Sequence, residues 1–263
     1  MIRKATERTV NYDDVSHTYD ERYRTAYKPD GIASALSELA REVKAERILE
    51  IGCGTGHWLG ILQALAPEVY GMDCSHGMLQ KALERKGEFH LIRGDVNKFP
   101  FHDEIFDLIF CVNALHHFCD PSGLIRDVRR LLRTGGALSI IGMDPHAGRD
   151  RWFLYDYFPG VYETDINRYP STGTIADWMI GAGFGNVTCR VGERIKLTRL
   201  GREILPLDKN FTSQLTLLTP RAYAKGIATI EAAIAKAEAL GKEQEFITDI
   251  SLFMTTGRVG EHD

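Results

Sequence analysis

The chain has 263 residues, 44% hydrophobic and 26% charged, with a formal net charge of −4. That composition suits a globular protein large enough for one α/β domain with a decoration, or for two small domains, and it gives no global basic field to draw in nucleic acid or an anionic membrane. No apolar run approaches the ~20 residues of a membrane span. The N-terminus has no signal-peptide core, and Cys53, Cys74, Cys111, Cys119 and Cys189 are odd in number and scattered without a CxxC pair. Both features fit a cytoplasmic protein with neither a disulfide framework nor a metal site.

Residues 10–30 mix aromatic and charged side chains, and Tyr12, Tyr19 and Tyr23 recur at spacings that put them on one side of a helix. A helix over Ile32–Val43 leads into a first strand at Arg47–Ile51. Three glycines at every second position follow, Gly52, Gly54 and Gly56, and then a helix-compatible run, Trp58–Leu65. Strand, glycine turn and helix make the nucleotide end of a Rossmann-like sheet, where the backbone approaches a ligand closely. Further strands are expected at Glu68–Met72, ending on Asp73, at Phe89–Arg93 before Gly94-Asp95, at Phe106–Val112 and at Ala137–Met143. Between them lie helices at Met78–Arg85 and Leu124–Leu132, the second closed by Gly135-Gly136. Arg126, Arg129, Arg130 and Arg133 fall at helical spacing, as a solvated face or one that meets an acidic partner.

After Met143 the rhythm breaks. An aromatic-rich stretch, Arg151–Tyr162, precedes a helix at Thr174–Ala182 and a strand at Asn186–Glu193; an alanine-rich helix over Pro220–Leu240 precedes a last strand at Ile250–Arg258. The expected fold is α/β: a Rossmann-like, doubly wound, mostly parallel sheet with an antiparallel closing strand. Residues 1–44 are read as an N-terminal helical lid, 45–197 and 246–263 as the core, and 198–245 as a helical insertion that caps a substrate.

The glycine turn alone does not name a ligand. A dinucleotide site wants G-x-G-x-x-G, whereas here the third glycine falls one position early and His57 takes its slot. Glu50, two residues before Gly52, would repel a pyrophosphate and accept from a cationic or amino group. Asp73 can take both hydroxyls of a ribose, and Asp95 can accept from an adenine amine. Two acids and no P-loop lysine describe a nucleoside site that avoids phosphate.

These segments, Ile48-Leu49-Glu50-Ile51-Gly52-Cys53-Gly54-Thr55-Gly56, Met72-Asp73-Cys74-Ser75 with Met78, Gly94-Asp95, Phe110–His117 and Leu132–Gly136, resemble the successive motifs of class I S-adenosylmethionine-dependent methyltransferases. Among these the chain is similar to the small-molecule (methyltransferase type 11) group that includes the ubiquinone/menaquinone-biosynthesis enzymes. The resemblance runs from about residue 45 to 145. It implies S-adenosylmethionine as cofactor, S-adenosylhomocysteine as product, and a small-molecule methyl acceptor reached by in-line displacement; nucleic acid is not expected as substrate, since no basic stripe and no Asn-Pro-Pro-aromatic motif follows the fourth strand. Monomer and homodimer are both compatible with it.

The same resemblance implies that Gly52, Cys53, Gly54 and Gly56 meet the methionine part of the cofactor, beside Glu50. Asp73 binds the ribose or simply caps a strand. Asp95 faces the adenine amine or belongs to an ordinary loop. Met72, Cys74, Met78 and Val96 flank the adenine or fill space. Asn113 lies at the methyl-transfer crevice, and its carbonyl or that of Ala114 can receive the cofactor's amino group. His116 and His117 are either a general base or the crevice wall. Tyr19, with Tyr12 and Tyr23, forms an aromatic lid near the sulfonium or a helix on the sheet edge. The acceptor pocket is expected to draw on His116, His117, Asp144, Tyr155 and Tyr157. The competing readings are a catalytically silent S-adenosylmethionine- or S-adenosylhomocysteine-binding regulator, which the intact Glu50, Asp73 and Asp95 argue against, and an NAD-dependent oxidoreductase, which would need the third glycine shifted.

Overall fold

The computed structural model describes residues 10–20, 30–205 and 207–260. After a single helical turn, α1 (Tyr12–Val15), α2 (Asp30–Glu42) presents Ile32, Ala35, Leu36, Leu39 and Ala40 as one buried stripe. The core then alternates β1 (Arg47–Ile51), α3 (His57–Leu62), β2 (Glu68–Asp73), α4 (His76–Leu83), β3 (His90–Arg93), β4 (Phe106–Val112), α5 (Pro121–Leu131) and β5 (Leu132–Met143). Short elements follow: β6 (Arg151–Trp152), α6 (Phe153–Tyr157), α7 (Val161–Arg168) and α8 (Thr172–Gly181). A long hairpin-like pair closes the chain, β7 (Gly185–Leu200) and β8 (Glu245–Arg258), joined through α9 (Ser213–Thr216) and α10 (Pro220–Ala239).

The sheet order is β3-β2-β1-β4-β5-β8-β6, with β7 on the other edge of β8. The first five strands are parallel and β8 runs antiparallel to β5, β6 and β7, which is the mostly parallel sheet with an antiparallel closing strand expected from the sequence. In the central strands side chains alternate between two apolar layers. Ile48, Leu108 and Phe110 enter one layer with α2 and α3; Leu49, Ile51, Ile109 and Cys111 enter the other with α5 and α8. Each fully buried Leu or Ile side chain contributes about 1.5–3 kcal/mol relative to exposure.

Several boundaries differ from the sequence reading for local reasons. Gly135-Gly136 do not close a helix. Leu132 is already extended, and the two glycines absorb a register shift between β4 and β5, where Phe106 pairs with Leu132 but Leu108 pairs with Ala137. The tyrosines do not share one helix, because α1 ends at Val15 and residues 16–20 form turns; Tyr23 lies outside the described residues. Strand β7 runs to Leu200 rather than ending at Glu193, so residues 198–200 are strand and not helical insertion, and β8 likewise begins at Glu245. Because β5 ends opposite Leu252, the β7–β8 pair overhangs the parallel sheet. The overhang builds one wall of the site.

Candidate active site

Two cavities of about 220 Å³ each open at the C-terminal ends of the parallel strands and share Tyr12, Tyr19, Val112, Asn113 and His117 in their walls. This is where open α/β sheets hold ligands.

The first cavity is built on the turn after β1. Gly52, Gly54 and Gly56 all have positive φ, +71°, +52° and +71°. The Gly52 N–H donates to the Met72 carbonyl at 2.8 Å, which pins the turn to β2. Asp73, at the end of β2, accepts from the Gly54 N–H and the Ser75 N–H, both at 2.8 Å, through different oxygens. Burial raises its carboxyl pKa against those bonds, and each oxygen keeps a lone pair for a further donor. Asp95 is exposed on the opposite rim and accepts from the backbone and side chain of Asn97 at 3.0 and 2.7 Å. Of the residues expected to bind cofactor, Tyr19, Gly52, Gly54, Asp73, Cys74, Met78, Asp95, Val96 and Asn113 line this cavity, together with Met72. Among the described residues no lysine or arginine lines it.

Glu50, Cys53 and Gly56 sit elsewhere. Gly56 is the N-cap of α3, where an added Cβ would stand 3.2 Å from Ala82 Cβ, so it serves packing of α3 on α4. Cys53 is turned inward against Gly71, and burial pushes its thiol pKa well up. Glu50 is 1% exposed beneath the turn, with Oε2 lacking a hydrogen-bond partner. Burial first, and then the charge of Asp73, holds its carboxyl well above the usual carboxylate range. Sequence order could not show that β1 turns Glu50 to the same side as Ile48, away from the cavity lining.

Residues 10–20 cross over the two cavities and are fixed at two points. Asp13 accepts from the Ser75 hydroxyl at 2.6 Å and the Gly77 N–H at 2.8 Å, bonds that hold its pKa below the ordinary value. Asp20 accepts from the Thr55 hydroxyl at 2.5 Å and pairs with Arg85 at 2.6 Å. Between these anchors, Tyr12 and Tyr19 meet edge to face at 6.1 Å, and the Tyr12 hydroxyl lies 2.6 Å from His117 Nε2. Asn113, at the end of β4, takes φ +51° while its N–H donates to the Ile141 carbonyl at 2.8 Å. A non-glycine residue in this region is uncommon and clusters at functional sites.

The second cavity is mostly apolar. Ile32, Trp58, Met143, Trp152 and Phe153 line it with Ile195 and Leu197 of β7 and Ile250 and Leu252 of β8. Its polar groups are Asn113, His116 and His117, Tyr169, Arg199, Ser213, Gln214 and a few hydroxyls. His116 is buried and stacks on Tyr169 at 3.9 Å. Three expected pocket residues do not line this cavity. Asp144 is used as a joint, accepting from the His146 N–H at 3.1 Å and from the Thr172 N–H and hydroxyl at 2.8 Å each. Tyr157 packs on Phe246 at 5.1 Å. The Tyr155 hydroxyl donates to Asp165 at 3.0 Å.

Asp165 and Gln214 form the layer behind the wall. Asp165 is fully buried, accepts from Gln214 at 3.1 Å and lies 3.6 Å from the Arg168 guanidinium; Gln214 also donates to the Tyr169 hydroxyl at 3.2 Å. Burial outweighs these partners and raises the Asp165 pKa to about 6. A carboxyl with a raised folded pKa contributes stability that is complete below its unfolded value near 4 and is lost as pH rises through 6. Asp165→Asn, which cannot ionise, should therefore gain on the parent by about 3 kcal/mol between pH 4 and pH 8 in urea unfolding. A pH-independent difference between the two proteins would contradict this.

A glycine turn at the strand ends, with Asp73 and Asp95 beside it and no lysine or arginine among the described lining residues, joined to an apolar chamber, is the arrangement expected of a Rossmann-like methyltransferase. Comparison with known proteins agrees. Residues 49–140 match the sequence profile of a methyltransferase domain. The chain is 31% identical over 151 residues to a demethylmenaquinone methyltransferase of Thermotoga maritima, covering 52% of this chain and 66% of that one. It is 31% identical over 190 residues to a malonyl-[acyl-carrier protein] O-methyltransferase of Legionella pneumophila, covering 67% and 65%. The matches thus span just under two thirds of these relatives' own lengths. In fold the chain is similar to the YcgJ protein of Bacillus subtilis, with TM-score 0.59, 20% identity, and 87% of this chain and 99% of that one covered. It is also similar to phosphoethanolamine N-methyltransferase 2 of Haemonchus contortus, solved with S-adenosylmethionine, with TM-score 0.59, 18% identity, and 95% and 57% covered. Residues 49–140 thus carry a methyltransferase domain, in agreement with the resemblance of the sequence motifs to the S-adenosylmethionine-dependent methyltransferases of the type 11 group.

The residues present suit S-adenosylmethionine as cofactor. Gly52 and Gly94 line the cavity, and a Cβ at either would collide with a neighbouring lining residue, at 2.6 Å from Ala114 Cβ and 2.5 Å from Met72 Cε. The acids Asp73 and Asp95 suit a nucleoside with a cationic centre and no phosphate. Sequence reasoning missed Phe118 in this cavity, and Trp58, Tyr169, Arg199, Phe211 and Gln214 in the other.

Proposed function

We propose that this chain moves a methyl group from S-adenosylmethionine to a small-molecule acceptor held in the second cavity. The observation that carries this reading is the shared wall: Tyr12, Tyr19, Asn113 and His117 border both chambers, so a donor on one side and an acceptor on the other meet there. When bound, S-adenosylmethionine supplies an electrophilic methyl group open to in-line displacement, and alignment provides most of the acceleration.

In this reading Gly52 and Gly54 offer backbone groups to the methionine part, Asp73 takes the ribose hydroxyls, and Asp95 faces the adenine amine among Met72, Cys74, Met78 and Val96. The carbonyls of Asn113 and Ala114 serve the cofactor's amino group. His117, with the Tyr12 hydroxyl at 2.6 Å, is placed to accept a proton from an acceptor hydroxyl or amine. Residues 10–20, within the N-terminal segment 1–44 read as a lid, exclude water from the junction, while α2 of the same segment packs into the core. Residues 201–244 cap the acceptor, within the 198–245 insertion. The two relatives' names point to acceptors of different kinds, a demethylmenaquinone and a malonyl-[acyl-carrier protein], so the cavity itself must indicate the acceptor. No helix among the described residues is long and apolar enough to cross a membrane.

Isothermal titration of the purified protein with S-adenosylmethionine and S-adenosylhomocysteine should give saturable one-site binding for each, and methyl-labelled cofactor should label a small acceptor. Absence of saturable binding would refute the proposal.

A further inference from the structure

The two chambers carry opposite charge. Among the described residues, the cofactor cavity is lined by Asp73 and Asp95 and by no lysine or arginine, whereas the acceptor cavity is lined by Arg199 and by no aspartate or glutamate. Arg199 reaches the cavity because β7 alternates: Ile195, Leu197 and Arg199 face inward, while Lys196, Thr198 and Leu200 face solvent. Its guanidinium lies 5.6 Å from the centroid of the Phe211 ring, a contact that orients the planar fork. Unlike Arg47, Arg85, Arg194 and Arg202, it forms no ion pair with a carboxylate among the described residues. A guanidinium that shares its wall with Trp152, Leu197 and Ile250 gains little from solvent once a ligand covers it, and its attraction for an anion strengthens accordingly.

We infer that the acceptor is an organic acid with an apolar, aromatic-sized body, bound with its carboxylate on Arg199 and its nucleophile toward His117. This rests on the reading of the second cavity as the acceptor chamber. One guanidinium matches one carboxylate, whereas a phosphate-monoester dianion would retain an uncompensated charge. The same polarity sorts the two ligands, because an organic acid is repelled from the acidic cofactor cavity and a sulfonium is disfavoured beside Arg199.

Trp58 and Trp152 line the cavity, so their fluorescence reports its occupancy without turnover. The probes are 4-hydroxyphenylacetate, its primary amide and phenyl phosphate, each titrated with and without saturating S-adenosylhomocysteine. The parent should bind the acid at least about tenfold more tightly than the amide. Arg199→Met should lose that preference while binding the amide and S-adenosylhomocysteine as the parent does, and Arg199→Lys should keep part of it. The inference is overturned if the acid fails to bind, if acid and amide bind equally to the parent, if Arg199→Met weakens both alike, or if phenyl phosphate binds more tightly than the acid. An acid preference that depends on Arg199 in a protein that does not bind S-adenosylhomocysteine would support the anion site and refute the transferase reading alone.

Discussion

Asp73→Ala is expected to weaken S-adenosylhomocysteine binding by about 1–3 kcal/mol, a five- to 150-fold rise in Kd by calorimetry. Two losses combine. The ribose hydroxyls lose a charge-assisted acceptor, and the turn loses the carboxylate that holds the Gly54 and Ser75 N–H groups at 2.8 Å each. Asp73→Asn separates little from alanine, because its amide nitrogen would face one of two N–H donors that both need an acceptor. Asp95→Ala supplies the contrast: Asp95 is exposed and clamps only Asn97, so its loss should cost less affinity. Unchanged affinity in Asp73→Ala would place the ribose elsewhere. A larger effect at Asp95 than at Asp73 would make the outer rim, and not the strand end, the main anchor.

The cofactor side was legible in the sequence because its determinants are local. The turn lies within nine residues of chain, Asp73 and Asp95 terminate neighbouring parallel strands, and the register β1–β2–β3 brings those ends side by side. Glu50 shows the limit of that legibility. Its position before the glycines suggested a ligand contact, yet strand alternation buries it beneath the turn, where its pKa is driven up by desolvation. The acceptor chamber was much less legible, since it gathers residues from 12–19, 32, 58, 112–117, 143–169, 195–214 and 248–252. The polar residues that looked suited to it, Asp144 and Tyr155, are consumed by contacts to Thr172 and Asp165, and Tyr157 packs on Phe246. The reading of 198–245 as a substrate cap included Arg199 without singling it out; its place in the alternation after Ile195 and Leu197 does so only once β7 is known to continue past Glu193.

Gly52→Ala is expected to impair the cofactor cavity more sharply than its single added methyl suggests. At φ +71° an L-residue costs about 1 kcal/mol or more before any contact is considered. The new Cβ would stand 2.6 Å from Ala114 Cβ, backed at 3.6 Å by Phe118, so relief requires moving the turn away from residues 113–118. Those residues and the turn both line the first cavity, and Asn113 and His117 also border the second. S-adenosylhomocysteine affinity should fall at least about tenfold, with thermal stability reduced as well. Ala114→Gly in the same chain separates the two causes. The double variant removes the methyl–methyl overlap and should recover the part of the loss that it caused, leaving the backbone cost of alanine at positive φ. Affinity in Gly52→Ala equal to the parent would mean that the turn does not approach the cofactor. Failure of the double variant to recover any affinity would assign the whole loss to backbone strain, and the close approach of Ala114 would then play no part in shaping the methyl-transfer junction.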